Sequence, residues 1–282
     1  MRGALTLMLG RREMDLWLSG GLLGLIALVT LVGPWLWPLD PLEADLLSSF
    51  SPPLSSSGDV WHPLGTDQLG RDLLARLLEG GRLSVAIVLC AGMISLLIGT
   101  TVGMLAGYFG GWVDALIMRL VDIQLAIPFI LLILLLVSVI GPGIGNLVAV
   151  LGLTGWAIYA RVARARTLEL RELEYMEATK ALGLPLYRTL LRHLLPNLFG
   201  AQLVLFTLDL PRLVVLEASV GFLGMGIQPP APTLGNLIGE GRSYLLVADW
   251  LVIWPGVLIA ALVVGCNFFG DALARRYRIK PR

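Results

Sequence analysis

The stretch LSVAIVLCAGMISLLIGTTVGMLAGYF, residues 83–109, carries no charged side chain from end to end. As an α-helix rising about 1.5 Å per residue, it outreaches the roughly 30 Å of hydrocarbon in a bilayer. A soluble core rarely needs an apolar rod of that length, so Leu83–Phe109 is read as a membrane-spanning helix. Gly99, Gly103 and Gly107 fall at spacing four within it and clear one face for a close helical neighbour. Glycine is enriched in membrane helices generally, and on either reading the feature serves packing.

Comparable runs lie on both sides. Leu16–Trp37 is uncharged and follows Arg2, Arg11 and Arg12, a lead-in shaped like the start of a signal peptide. Its apolar part is too long for one, and it closes in Gly33-Pro34-Trp35-Leu36-Trp37-Pro38, whose aromatics suit a membrane interface. It is therefore read as a retained helix. Further spans are expected at Ala115–Ile140, Leu147–Val162, Leu198–Val220 and Trp250–Phe269, with Gly141-Pro142-Gly143-Ile144-Gly145 as a tight turn. The expected fold is an all-α integral membrane protein with six transmembrane helices. It divides into an N-terminal helix with an extramembrane segment (1–82), a core (83–271) and a basic tail (272–282).

Composition agrees. Hydrophobic residues make up 56% of the 282 and charged residues 15%, where a soluble domain holds about 25% charged. Net charge is +1, which gives no ground for a nucleic-acid partner. Cys90 and Cys266 lie inside apolar runs without CxxC spacing and are read as small core residues. His62 and His193 sit in separate loops, so no metal site is expected.

Six helices put both termini on one side, and basic residues choose which. The N-terminus, residues 110–120, residues 161–196 and the tail hold sixteen of the 21 Lys and Arg. The opposite loops, 38–82 and 221–248, hold only Arg71, Arg76, Arg82 and Arg242. Both termini and the loop 163–196 are thus expected to be cytoplasmic. Within 38–82, Asp72–Glu79 is expected as a short surface helix.

The loop 163–196 is dense in helix formers from Arg166 to Leu182, with Glu174 and Glu177 spaced to reach Arg171 and Lys180. Gly183 stands where a left-handed C-cap would end that helix, and Pro185 suits the first turn of a second one over 185–195, before Pro196. Leu173, Met176, Leu182, Leu184, Leu186 and Tyr187 are more apolar surface than a free solvated loop would keep.

Here a resemblance becomes specific. Glu177-Ala178-Thr179, then Gly183, then Leu195-Pro196, is similar to the EAA loop of permeases in binding-protein-dependent ABC importers. Thr179 stands for the second Ala of that pattern and His193 for its Ile. Other stretches resemble the C-type permease of the dipeptide, oligopeptide and nickel group. These are HPLGTDQLGRD at 62–72, GYFGGWVD at 107–114 with Met118-Arg119 and Asp122, and GFLGMG at 221–226 with Pro229-Pro230. Leu234 departs from the Trp expected before Gly235, and the resemblance covers about residues 60–271.

The resemblance implies a type I ABC importer permease fold and a heterodimer with a B-type permease. It also implies a pair of cytoplasmic ATPases that bind Mg-ATP and an extracytoplasmic substrate-binding protein. The loop, through Glu177, Ala178, Thr179, Gly183, Leu184, Leu195 and Pro196, would dock on an ATPase and carry its closure to the membrane helices. Di- or oligopeptides are the expected cargo, with nickel and glutathione as alternatives within the family.

The chain is not expected to hydrolyse ATP, because no Gly-Lys-Ser/Thr exists: Lys180 follows Thr179 and Lys280 follows Ile279. No cofactor is expected on it. Asp209, Arg212 and Glu217 are charges inside a span, each costly there, and are candidates to line a polar pathway; Asp209 and Arg212, three residues apart, can instead pair and neutralise each other. Asp114, Arg119 and Asp122 lie near a helix start and suggest an interfacial role. His62, Gly65, Thr66, Asp67, Gly70, Arg71 and Asp72 form either a capped turn or a docking or gating element. The rivals are an ion- or proton-coupled secondary transporter, for which no internal repeat is found, and a non-transporting scaffold.

Overall fold

The computed structural model describes the backbone of residues 2–58 and 60–278. It also describes their side chains, apart from those of residues 2–16, Ser57, Glu177, Ala178, Lys180, Ala181 and Arg278. Helix α1 spans Arg2–Leu36, α2 Leu73–Phe109, α3 Gly111–Ala126, α4 Phe129–Ile140 and α5 Ile144–Arg171. Then come α6 Glu174–Ala181, α7 Leu186–Arg188, α8 Leu195–Phe222, α9 Leu234–Gly241 and α10 Trp250–Arg278. The chain is not purely helical: strands β1 (Ser55–Ser57) and β2 (Val60–His62) pair antiparallel in the extramembrane segment.

Length and apolarity qualify four helices among the described residues to cross a membrane: the Trp17–Leu36 part of α1, α2, α5 and α10. A fifth span forms if α3 and α4 count as one, bent by 91°. That bend corrects the expected straight span over Ala115–Ile140. Pro128 disfavours helical backbone at Ile127, whose ψ of 129° is extended, so α3 stops and α4 restarts in a new direction. Helix α8 is 28 residues long, but Asp209, Arg212 and Glu217 interrupt its apolar character.

The glycine face of α2 meets α5. A Cβ on Gly99 would stand 2.3 Å from the Trp156 carbonyl oxygen, and one on Gly103 2.2 Å from that of Ala160. Only hydrogen fits there, which lets the two backbones touch. Ile87, Ala91, Ile133, Val137, Val150 and Leu151 bring α4 onto the same α2–α5 pair. Val88, Leu213, Leu234, Leu262 and Cys266 tie α2, α8, α9 and α10 together. Helix α1 packs along α2 and α10.

Several boundaries differ from expectation. Residues 73–79 are not a surface helix. They are the first turns of α2, capped by the Asp72 side chain, with Leu73 and Arg76 each 1% exposed. The helix expected over Leu147–Val162 runs on to Arg171, and the one expected over Arg166–Leu182 is split at Glu172–Leu173. Polar residues do not end a helix by themselves, and here α5 continues beyond its apolar part. Likewise α10 extends past Phe269 to Arg278, so the tail is helical as far as it is described. Cys90 is exposed rather than packed in the core, whereas Cys266 is buried.

Candidate functional site

Three polar or exposed clusters stand out against this scaffold. The first is the hairpin after α5. Gly183 takes φ of +64°, and the Leu184 N–H bonds to the Thr179 carbonyl at 3.2 Å, a Schellman closure of α6. Thr179 is buried and returns its hydroxyl proton to the Met176 carbonyl at 2.7 Å, so the small polar residue is satisfied locally. The expected second helix over 185–195 does not end at Pro196. Instead, α7 passes through a π-helical stretch, Thr189–Leu194, straight into α8. Pro196 lacks an N–H and crowds the carbonyl of Arg192. The wider winding, with the Leu195 N–H reaching Leu190, absorbs that mismatch.

The hairpin stands on a firm base. Met176, Leu190, Leu194 and Leu198 share a core with Met104 of α2 and Leu170 of α5, and Leu173 and Leu195 pack against it. Arg171 Nη1 donates to the carbonyls of Gly107 and Tyr108 at 3.3 Å each, clamping the end of α2. That use replaces the expected pairing of Arg171 with Glu174. The side chains of Glu177, Ala178 and Lys180 lie outside the described residues. Beyond the base, Leu182 is 78%, Tyr187 61% and Leu191 58% exposed, with Leu186 and Gly183 beside them and Leu184 half-buried. Nearby, Arg164 grips Asp114 with Nε and Nη2, both at 2.5 Å, and Arg161 reaches Asp122 at 2.6 Å. Both pairs join α3 to α5.

The second cluster is inside α8. Asp209, 5% exposed, accepts from Arg212 Nε at 2.7 Å and from the Tyr159 hydroxyl of α5 at 3.0 Å. The Arg212 guanidinium lies 4.5 Å above the Phe129 ring at the start of α4. Glu217 does not join them. It is 1% exposed, has Ser84 of α2 for a neighbour, and leaves Oε2 without a partner among the described residues. Asp209 and Arg212 thus pair as their spacing suggests, and Glu217 stands apart as a separate buried carboxyl group.

The third cluster is the 62–72 motif, whose members the structure brings together. Asp67 takes the amides of Leu69 and Arg71 on Oδ1, at 2.8 and 3.0 Å. Its Oδ2 takes Arg71 Nε at 2.7 Å and also Arg76 Nη1. Glu240 of α9 closes the far side, 3.1 Å from Arg76 Nη2. Asp72 holds His62 Nδ1 at 2.9 Å, Trp37 Nε1 at 3.0 Å and the Ala75 amide at 2.8 Å. Thr66 lends its hydroxyl oxygen to the Ser51 amide, and its carbonyl accepts from Trp250 Nε1 of α10. Gly65 and Gly70 sit at φ of +82° and +71°, with the Asp45 carbonyl only 1.7 Å from where a Gly70 Cβ would be.

His62, Thr66, Asp67, Arg71 and Asp72 are all buried. Asp72 caps the start of α2. Asp67 caps a loop turn rather than a helix. Arg76, Glu240, Trp37, Trp250 and Tyr159 belong to these clusters but escaped sequence reasoning. Only Arg76, one helical turn after Asp72, carried a local signal. Glu240 lies 164 residues beyond its partner.

Comparison with known proteins places these clusters in context. Residues 99–279 match the family described as binding-protein-dependent transport system inner membrane component. The dipeptide transport system permease protein DppC of Haemophilus influenzae is 35% identical over 260 residues, 90% of this chain and 88% of that one. The glutathione transport system permease protein GsiD of Pectobacterium atrosepticum is 35% identical over 248 residues, 88% and 82% of the two chains. Among solved structures, an inward-facing form of the MetNI methionine ABC transporter superposes with a TM-score of 0.58 at 24% identity. The match covers 71% of this chain and 95% of that one, a likeness of fold.

Proposed function

The chain belongs to the binding-protein-dependent transport system inner membrane component family, and from that premise we propose that it is the permease subunit of an ATP-driven importer of short peptides. The curated relatives are named for dipeptides, for di- and tripeptides and for glutathione, itself a tripeptide, which supports cargo of that class. No observation favours nickel or an ion-coupled carrier.

The reading includes six spans: α1, α2, the bent α3–α4 pair, α5, α8 and α10. Helix α8 joins the list because its Asp209–Arg212 pair neutralises itself, which lowers the cost of placing the charges in lipid. The distribution of Lys and Arg puts both termini and the α6–α7 hairpin in the cytoplasm. The partners are a second permease of the B type, a pair of ATPases holding Mg-ATP, and an extracytoplasmic binding protein. This chain carries no catalytic residue and binds no cofactor.

The observation that carries the reading is the α6–α7 hairpin, which is apolar at its exposed tip and rigidly founded at its base. Leu182, Leu186, Tyr187 and Leu191 form a tip that fits a cleft in a partner. A push there reaches α2 through Arg171 and the Met104 packing, and reaches α8 through the unbroken π-helical junction. Two spans that lie against each other across the bundle are thus driven from one point. The Asp209–Arg212–Tyr159 cluster spans α5 and α8 and offers a polar patch to a zwitterionic cargo. The 62–72 motif serves as a strut that fixes α2 to α9 and α10 on the opposite side.

The test is uptake of a labelled dipeptide by proteoliposomes containing the full complex, with ATP inside and an uncoupler present. ATP-dependent uptake that survives the uncoupler supports the importer. Uptake that collapses with the proton gradient and ignores ATP rejects it.

A further inference from the structure

A small pocket lies beside the third cluster, where α1 ends and α2 begins. It encloses about 180 Å³ between Trp35, Trp37, Glu79 and Arg82, with Leu39, Ala75 and two prolines among the rest of its wall. The Arg82 guanidinium lies 5.8 Å from the centre of the Trp35 ring, and its Nη2 donates to Glu79 Oε1 at 2.6 Å. No other donor of Arg82 has a protein partner among the described residues, and the same holds for Glu79 Oε2. Trp37 is held in place by its indole bond to Asp72. Trp35 by contrast is 75% exposed.

The depth of this pocket follows from the helices around it. The uncharged run of α2 begins at Leu83, one residue after Arg82, and that of α1 ends at Trp37. The pocket therefore stands at headgroup level whichever way the chain is oriented, in the zone tryptophan prefers. A guanidinium with unused donors matches a phosphate diester. A carboxylate with a free oxygen, 18% exposed beside two indole rings, matches an ammonium.

We propose that this pocket binds the headgroup of a zwitterionic phospholipid with a primary ammonium, its phosphate on Arg82 and its ammonium between Glu79 and the tryptophans. An anionic headgroup without an amine would leave Glu79 facing negative charge. A trimethylammonium cannot donate a hydrogen bond to Glu79. The lipid would brace α1 against α2 from outside.

The experiment is native mass spectrometry of the detergent-purified complex after delipidation. Phosphatidylethanolamine, phosphatidylglycerol or phosphatidylcholine of identical acyl chains is then added. Wild type is expected to retain more phosphatidylethanolamine than either other lipid. Arg82→Gln should cut that retention roughly tenfold, the worth of one charge-assisted contact. Glu79→Gln should abolish the preference for phosphatidylethanolamine over phosphatidylcholine. Both side chains are half-buried, so the melting midpoint of each variant is read beside its lipid retention, and Trp35→Leu, at a residue 75% exposed, supplies an independent variant that keeps the apolar wall and should weaken binding. Equal retention of the three lipids, or unchanged retention in Arg82→Gln, overturns the proposal. Displacement of the lipid by millimolar glycerophosphoethanolamine would assign the site to a soluble phosphate ester and overturn it as well.

Discussion

Replacing Asp67 by Asn tests whether the 62–72 motif is a buried electrostatic strut. Asp67 is 2% exposed and divides its work between its oxygens: Oδ1 serves the amides of Leu69 and Arg71, and Oδ2 serves Arg71 Nε and Arg76 Nη1. An Asn that keeps its carbonyl on the amides must turn its NH₂ toward both guanidinium groups. Donor then faces donor, and Arg76, 1% exposed, is left with Glu240 alone. Breaking a buried ion pair on one side costs about 3–5 kcal/mol. For a chain of this size, at roughly 2–4 °C per kcal/mol, the apparent melting midpoint should fall by about 6–20 °C. Glu240→Gln provides the internal comparison. Glu240 is 23% exposed, water can replace part of its role, and Gln keeps an acceptor, so its cost should stay near ~1 kcal/mol. The assay is fluorescence-detected size-exclusion chromatography of the purified complex after a temperature ramp. Equal midpoints for Asp67→Asn and Glu240→Gln, or no shift in Asp67→Asn, would refute the strut.

Three further outcomes follow from the geometry. Gly103→Ala places a Cβ 2.2 Å from the Ala160 carbonyl oxygen and should lower the yield of folded complex by about 1–3 kcal/mol of stability, while Gly256→Ala, with nothing within 4 Å, should not; comparing their melting midpoints checks this. Asp209→Asn strands Arg212 and should reduce folded complex more than the double change Asp209→Asn with Arg212→Gln; if the double variant folds, dipeptide uptake should still be low, and normal uptake would remove the pair from the pathway. Arg171→Ala frees the end of α2 from the hairpin and should leave the ATPases bound while lowering peptide transported per ATP hydrolysed, measured in proteoliposomes.

The sequence made the membrane class legible because uncharged runs such as Leu83–Phe109 report directly on the solvent around them. It also marked the hairpin, since Gly183 and Pro185 are local signals and the left-handed turn at Gly183 is a local requirement. What stayed hidden has physical reasons. The 91° break at Pro128 sits in Leu125-Ala126-Ile127-Pro128-Phe129, where hydropathy is uniform and only the proline's constraint on Ile127 gives notice. The extension of α5 to Arg171 has no sequence signal, because the charged residues after Val162 favour a helix as readily as they end an apolar run. The partners of the site residues are long-range: Glu240 with Arg76 and Tyr159 with Asp209 are set by packing between helices, and nothing near either residue announces the other. For the same reason 62–72 reads only as an extramembrane loop, though it is folded inward against α2, α9 and α10.

Docking of the ATPases on the exposed tip of the α6–α7 hairpin is decided by a mild-detergent pull-down of the chain, comparing wild type with Gly183→Asp. At φ of +64° any side chain strains the backbone at Gly183, Asp and Asn least, and nothing lies within 4 Å of an added Cβ, so Gly183→Asn serves as the uncharged control for that strain. Wild type and Gly183→Asn should bring down a second permease and a pair of ATPases, while Gly183→Asp, with a carboxylate beside Leu182 and Leu186, should keep the permease and lose the ATPases. If wild type retains the second permease without any ATPase, or if Gly183→Asp holds the ATPases as firmly as wild type, the hairpin is not the docking element.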